Sequence, residues 1–197
     1  MQSETENLAR ERELNSMSRL TVIVVLATVT MTFGAMIAVF FVRAEKRMLW
    51  GHIGIPPILW ATTLVLLASS ATFEAARHKL SAEDRAAFFR LTVWTAALAA
   101  LFLCGQLAAW FQVLGSGVVL ARNPHSWFIF LFSGLHGLHI ALGLAGLVYL
   151  LIRTHEPVSG PRYRMKTRAL ANGVGIFWHY LDFVWVVLFL LLVLWRR

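Results

Sequence analysis

Five long apolar runs constrain this chain more than any other feature of its sequence. A helix needs about 20 apolar residues to cross a bilayer, and each run is long enough. With 58% hydrophobic residues overall, the chain is expected to be an integral membrane protein. The sequence therefore predicts an all-α, polytopic membrane protein, a bundle of five transmembrane helices. We expect the spans to cover residues 20–42, 53–76, 91–114, 126–152 and 173–195.

The loops between these runs predict the orientation in the membrane. Residues 1–19 form a polar lead of mixed charge, unlike a cleavable signal peptide, and residues 20–197 are expected to form one domain. Two thirds of the lysines and arginines flank the side that holds the N-terminus. Because positive loops stay inside, we expect a cytoplasmic N-terminus and a C-terminus on the outside, in the periplasm.

Several functional classes fit the sequence poorly. The net charge of +8 comes from residues set between apolar runs, which is typical of membrane-flanking loops and argues against nucleic-acid binding. Cys104 is the one cysteine, so no internal disulfide or CxxCH haem-attachment site exists. No phosphate loop or zinc motif is present, and a small transporter would more typically show internal repeats and broken helices.

The fourth run places two histidines in the middle of a span. At 100° per residue, His136 and His139 fall on one side of the helix, and small residues fall on the other side. Small residues let a neighbouring backbone come close. The residues expected to pack against neighbouring helices on this small face are Gly134, Gly137 and Ala141.

The fifth run carries a carboxylate at membrane depth. Trp178, Asp182 and Trp185 share one face, and His179 borders it. We expect the two tryptophans to pack between helices. An ionised Asp182 near the bilayer centre would be costly without a partner, so we hypothesise that it contacts His139 or His179.

Three interpretations of these polar groups follow. We favour a buried, hydrogen-bonded structural network over a direct proton relay or a set of metal or haem ligands. His136 and His139 lie on one helix and cannot both bind one haem axially, whereas His139 and His179 could. A haem-binding membrane cytochrome is thus one alternative, although we expect no metal ligand and no catalytic residue in this chain.

Two further polar residues lie within or at the end of a span. Glu74 ends the second run, with Arg77 and His78 three and four residues later. We expect a snorkelling carboxylate paired with these residues, with a proton-entry group as the alternative. Gln106, in the third run, is expected to form a hydrogen bond between helices.

Four motifs together resemble subunit III of the haem-copper cytochrome oxidases. The chain contains GLHGLH at 134–139 and WHYLDFVW at 178–185. The likeness extends to PPILWATTLVLLASS at 56–70 and FLCGQLAAWFQV at 102–113. It covers nearly all of the chain after the polar lead. The chain is similar to a short, five-helix form of that family, which lacks the first two of seven helices.

The resemblance implies a non-redox accessory subunit in a bacterial cytoplasmic (inner) membrane. Such a subunit packs beside catalytic subunit I and the other oxidase subunits, and haem and copper belong to those partners. It binds phospholipid in a cleft, and it supports the stability and proton uptake of an enzyme that reduces oxygen in aerobic respiration and translocates protons. The candidate structural or proton-related residues are then His136, His139, His179, Asp182 and Glu74.

Two departures from the family pattern involve three positions. Thr28 and Val29 stand where the family often has a Ser-Glu pair, and Ala109 stands where it often has glutamate. The equivalent subunit of a quinol oxidase or of a nitric oxide reductase is therefore a second alternative.

Overall fold

The computed structural model describes residues 2–44, 56–115, 124–155 and 161–194. It describes side chains from residues 20–43, 56–115, 127–154 and 163–194. Within these ranges the chain forms five α-helices, each with a stretch long and apolar enough to cross a membrane. The predicted all-α, five-helix membrane architecture is confirmed. The helices are α1 (Gln2–Ala44), α2 (Ile58–Ser81), α3 (Arg85–Gly115), α4 (Pro124–His155) and α5 (Pro161–Leu194).

The helices extend beyond the predicted spans, chiefly on the side that holds the N-terminus. α5 begins at Pro161, well before residue 173, and α2 continues to Ser81, past residue 76. Residues 2–19 also continue α1 without a break. Arginine, lysine and alanine favour helix as strongly as most apolar residues do. Hydropathy therefore located the apolar part of each helix but not its polar end.

A short turn brings α2 and α3 together as antiparallel neighbours. Asp84 precedes α3, and its carboxylate accepts a hydrogen bond from the Ala87 N–H at 3.0 Å, which caps the helix. Glu83 adopts a left-handed backbone conformation with φ 64°. The turn thereby projects Glu83 toward the start of α5, where its carboxylate pairs with Arg164 at 2.8 Å.

α2, α3, α4 and α5 form a closed ring, and α1 lies outside it. α2 packs on α3, α3 on α4, α4 on α5, and α5 returns to α2, whereas α1 packs mainly against α5 and α4. The ring encloses Phe102, Trp178 and Trp185, all fully buried. α1 contributes Phe33 and Phe40 to the core, with the Phe40 ring 5.2 Å from that of Phe128.

Several helix ends gather on one side of the bundle, which we call the N-terminal side. The turn between α2 and α3 lies here, in contact with the start of α5. The start of the α1 span lies here too, because a Cβ on Gly173 would be 3.3 Å from Val22. This is the side that the lysine and arginine distribution assigns to the cytoplasm.

Candidate functional site

A polar cluster ties α2 to α5 near the N-terminal side. The His179 ring bonds through Nδ1 to Ser70 Oγ at 2.5 Å and through Nε2 to Glu74 Oε2 at 3.2 Å. Arg77 donates to the same Glu74 oxygen at 2.6 Å and to Asn172 Oδ1 at 3.0 Å. We call these five residues the Glu74 cluster. Within this cluster both nitrogens of the His179 ring and the Glu74 carboxylate have hydrogen-bond partners, and these bonds join α2 to α5.

Helix periodicity explains why these side chains meet. Ser70, Glu74 and Arg77 lie at positions i, i+4 and i+7 of α2, so they form one stripe. On α5, Asn172 and His179 are also seven residues apart and share a face. The two stripes run alongside each other. Glu74 is half-buried, with 42% of its side chain exposed, so the cluster reaches the edge of the bundle.

The expected pairing of Glu74 within its own helix is confirmed. Arg77 contacts it at 2.6 Å, and His78 Nε2 lies 3.5 Å from its other oxygen. The contact with His179 was not predicted. Sequence spacing relates residues along one helix, and it carries no information about which residue of another helix lies opposite.

The predicted contact of Asp182 with His139 or His179 is wrong. Asp182 is 4% exposed, and in the described part of the chain its carboxylate forms no hydrogen bond or ion pair with either histidine; the Ser70 hydroxyl is a polar neighbour. Helical side chains lean toward the N-terminus of their helix, so His179 reaches Glu74 and Ser70 and turns away from Asp182, one turn later. His139 bonds through Nδ1 to the Leu135 carbonyl of its own helix at 2.7 Å.

The histidines of α4 lie among aromatic rings. His136 is fully buried, and its ring centroid is 4.9 Å from Trp185 and 5.8 Å from Phe102. Neither of its ring nitrogens has a hydrogen-bond partner among the described residues. Phe33 of α1 lies 5.4 Å from the half-buried His139. The two histidines thus face α1 and the centre of the bundle, away from the Glu74 cluster.

The small residues of α4 contact α3 at one end of the predicted face. A Cβ on Gly134 would be 3.3 Å from the Trp110 ring, and one on Gly137 would be 3.6 Å from Leu103. Ala141 is exposed, because the helix surface turns away from α3 at that level. The close approach predicted for this face therefore involves Gly134 and Gly137, and Ala141 faces outward.

The two tryptophans of α5 lie between helices and bind α2. Both are fully buried. Trp178 Nε1 donates to Ser69 Oγ at 3.2 Å, and Trp185 Nε1 donates to Thr63 Oγ1 at 3.0 Å. A buried indole N–H needs such an acceptor. α5 is thereby held against α2 at two levels: Trp178–Ser69 lies beside the His179–Ser70 contact of the Glu74 cluster, and Trp185–Thr63 lies about two turns deeper.

The predicted interhelical hydrogen bond of Gln106 is confirmed. Its Nε2 donates to Thr62 Oγ1 of α2 at 3.2 Å. Trp110, one turn later on α3, donates to Ser133 of α4 at 2.8 Å. α3 is therefore joined by side-chain hydrogen bonds to both of its neighbours in the ring.

No three His, Cys, Asp or Glu side chains converge as metal ligands within the described ranges. Both ring nitrogens of His179 are hydrogen-bonded. A haem held by His139 and His179 would need His179 to give up one of these bonds. The geometry gives that alternative no support.

The fold and the cluster define a class: a polytopic helical membrane protein in which several intramembrane polar groups form hydrogen bonds between helices. Residues 14–197 match the family model for cytochrome c oxidase subunit III. A probable cytochrome c oxidase subunit 3 of Nocardia farcinica is 30% identical over 85% of this chain and 82% of its own length. Cytochrome c oxidase subunit 3 of Corynebacterium diphtheriae is 27% identical over 85% and 83%. The chain therefore belongs to the cytochrome c oxidase subunit III family, accessory subunits of haem-copper oxidases, as its motifs predicted.

The coupling between Glu74 and His179 can be measured with a double-mutant cycle of Glu74→Gln and His179→Gln. We expect a coupling free energy of about 1 kcal/mol, because the contact joins two helices at the edge of a low-dielectric bundle. The control cycle pairs Glu74→Gln with His78→Gln. His78 is 79% exposed, so its coupling should stay below about 0.5 kcal/mol. Unfolding of the purified protein in detergent provides the free energies, and equal couplings would contradict a cross-helix role.

Proposed function

We propose that this chain is a non-redox accessory subunit III in the respiratory chain of a bacterium, located in its cytoplasmic membrane. There it packs beside a catalytic subunit I and other oxidase subunits, which hold the haem and copper, reduce oxygen and translocate protons. The observation that carries this proposal is the family match over residues 14–197. The hydrogen bond between Glu74 of α2 and His179 of α5 supports an accessory role, because these polar side chains hold two helices together.

The proposed contribution of the Glu74 cluster is both structural and proton-related. Glu74 and His179 are hydrogen-bonded to each other, and both are partly exposed. We propose that the N-terminal side faces the cytoplasm, from which such an oxidase takes up its protons. The cluster would then hold α2 and α5 together and exchange protons at that surface. His136, His139 and Asp182 lie deeper, and for them we propose a structural role.

We also propose that a phospholipid binds this chain through an acyl chain. A cleft of about 400 Å³ lies between α1, α4 and α5. Gly143, Gly146 and Gly173 are among the residues that line it, and they leave space that larger side chains would fill. Most of its lining is apolar, so an acyl chain fits its chemistry.

Affinity purification of the tagged protein in mild detergent tests the proposed function. We expect a large haem-copper subunit to co-purify and to give a Soret band. Asp182→Leu should leave that spectrum, normalised to the large subunit, unchanged, because Asp182 binds no cofactor in this proposal. Loss of the haem signal in the variant would contradict a non-redox role.

The same experiment distinguishes the remaining alternatives. Ala109 is 2% exposed, so the glutamate often found there in the family would lie inside the bundle. A co-purified catalytic subunit that oxidises quinol, or one that reduces nitric oxide, would assign the chain to those enzymes. If the wild-type chain purifies with no haem protein, the proposed function fails.

A further inference from the structure

Each helix of the ring contributes a polar or aromatic side chain to one level of its interior. Gln106 of α3 donates to Thr62 of α2 at 3.2 Å, and Trp185 of α5 donates to Thr63 of α2 at 3.0 Å. The ring centroid of His136, on α4, lies 4.9 Å from that of Trp185. All five side chains are buried. We call these five residues the polar layer.

The contacts between α3 and α4 place Gln106 close to His136. Phe102, one turn before Gln106, has its ring centroid 5.8 Å from that of His136. Trp110, one turn after Gln106, donates to Ser133, which precedes His136 by three residues. Residues four apart share a face of a helix. Gln106 therefore lies on the interior face of α3, between the levels of Ser133 and His136.

The polar layer leaves one acceptor and one donor unused. The Thr62 hydroxyl donates to the Leu59 carbonyl at 3.1 Å, so it accepts from Gln106, and this fixes the Gln106 Nε2 as donor. Within the described residues, Gln106 Oε1 has no hydrogen-bond partner, and neither ring nitrogen of His136 has one. At least one of these two nitrogens carries a proton in either tautomer. An N–H without an acceptor thus lies near an amide oxygen without a donor.

These atoms lie too deep for the surroundings of the protein to provide partners. His136 is 0% exposed and Gln106 is 4% exposed. Hydrocarbon offers no hydrogen bonds, and a buried polar group without a partner is costly. Such groups in folded proteins nearly always pair with the protein or with ordered water. Ala109, the next buried residue of α3 after Gln106, ends in a methyl group, so a small side chain neighbours the unused acceptor.

We propose that the polar layer binds an internal water molecule between His136 and Gln106. The water accepts a hydrogen bond from the His136 N–H and donates one to Gln106 Oε1. Buried waters typically bind two to four otherwise unpaired polar groups, and one water needs little room. The water links α4 to α3 at the level where Gln106 and Trp185 already link α3 and α5 to α2. The proposal concerns neither the Glu74 cluster nor the apolar cleft, and it does not depend on the proposed function.

Radiolytic labelling in water that carries a heavy oxygen isotope tests this proposal. The full-length protein, with whatever subunits accompany it, is equilibrated in that water and exposed to a brief X-ray pulse. Hydroxyl radicals formed at a bound water oxidise the side chains in contact with it, and mass spectrometry locates the isotope. Phe102 is the reporter, because it is fully buried beside His136. Phe73, equally buried within the apolar core on α2, is the reference. We expect label at Phe102 and only background at Phe73.

Variants of the same helix identify the groups that hold the water. Gln106→Leu removes the acceptor, so the label at Phe102 should fall to the level of Phe73. Gln112→Leu makes the same substitution at an exposed position of α3 and should keep the wild-type label. His136→Gln retains a donor and an acceptor and should also keep it, whereas His136→Phe should lose it.

Two results would overturn the proposal. In the wild type, label at Phe102 no stronger than at Phe73 would show that no water lies beside His136. This comparison needs no variant, so it decides the question even if Gln106→Leu does not fold. Label that persists in Gln106→Leu would show that Gln106 does not hold the water. The label is read on this chain whether or not a haem protein accompanies it, so failure here is separate from failure of the proposed function.

Discussion

Trp185→Ala is expected to lower the free energy of unfolding by about 3–5 kcal/mol. Trp185 is fully buried where four helices meet. Its ring lies 4.9 Å from His136 of α4 and 5.2 Å from Phe102 of α3, and its indole N–H binds Thr63 of α2. In a bilayer the lipid is as apolar as the core. The loss therefore comes mainly from the cavity and the missing contacts rather than from transfer to water.

The matched control is Trp94→Ala. Trp94 lies on α3 with 64% of its surface exposed, and its removal should cost less than about 1 kcal/mol. Both variants can be unfolded in detergent and followed by the remaining tryptophan fluorescence or by circular dichroism. Comparable losses for the two variants would show that Trp185 is not a central packing residue.

Gly143→Leu is expected to lower the free energy of unfolding by about 2–3 kcal/mol. A Cβ at Gly143 would lie 2.9 and 3.0 Å from two carbons of the Trp178 ring and 3.5 Å from Phe177. Trp178 is fully buried and bound to Ser69, so it has little room to move. The added side chain would force α4 and α5 apart, and thermal or denaturant unfolding in detergent measures the cost.

Gly34→Leu controls for the change of glycine in a helix. No heavy atom outside the local helix lies within 4 Å of a Cβ at Gly34, so the leucine should gain up to about 1 kcal/mol from helix propensity. Gly143 also lines the cleft between α1, α4 and α5. Combining Gly143→Leu with Trp178→Phe separates a clash with the Trp178 indole from filling of the cleft: if the double variant regains stability, the clash with the indole is the cause. An equal effect at both glycines would refute the tight contact.

The number of helices could be predicted from sequence. Some of the residues through which the helices pack could be predicted as well. The apolar runs gave five spans because a bilayer demands about 20 apolar residues per helix. Glycine spacing predicted a packing face on α4, and Gly134 and Gly137 on that face lie against side chains of α3. Ala141 belongs to the same face but is exposed, because periodicity defines a face along the whole helix and does not say where along it a neighbour lies.

The partners of the polar residues on other helices could not be predicted from sequence alone. Similar depth in the membrane suggested that Asp182 meets a histidine. However, depth ignores the lean of each side chain, and His179 leans toward Glu74 and Ser70.

The placement of α1 has a consequence for how the protein is made. The hydroxyl of Thr30 bonds the Tyr180 hydroxyl at 2.6 Å, across 150 residues of sequence, and Phe33 covers histidines of α4. α1, which precedes the other four described helices, thus docks mainly onto the last two of them. We expect α1 to remain in the membrane without its helical partners, in contact with lipid or with the insertion machinery, until α4 and α5 have been synthesised. Chains that stop after α3 would then leave it unassembled and open to quality-control proteolysis.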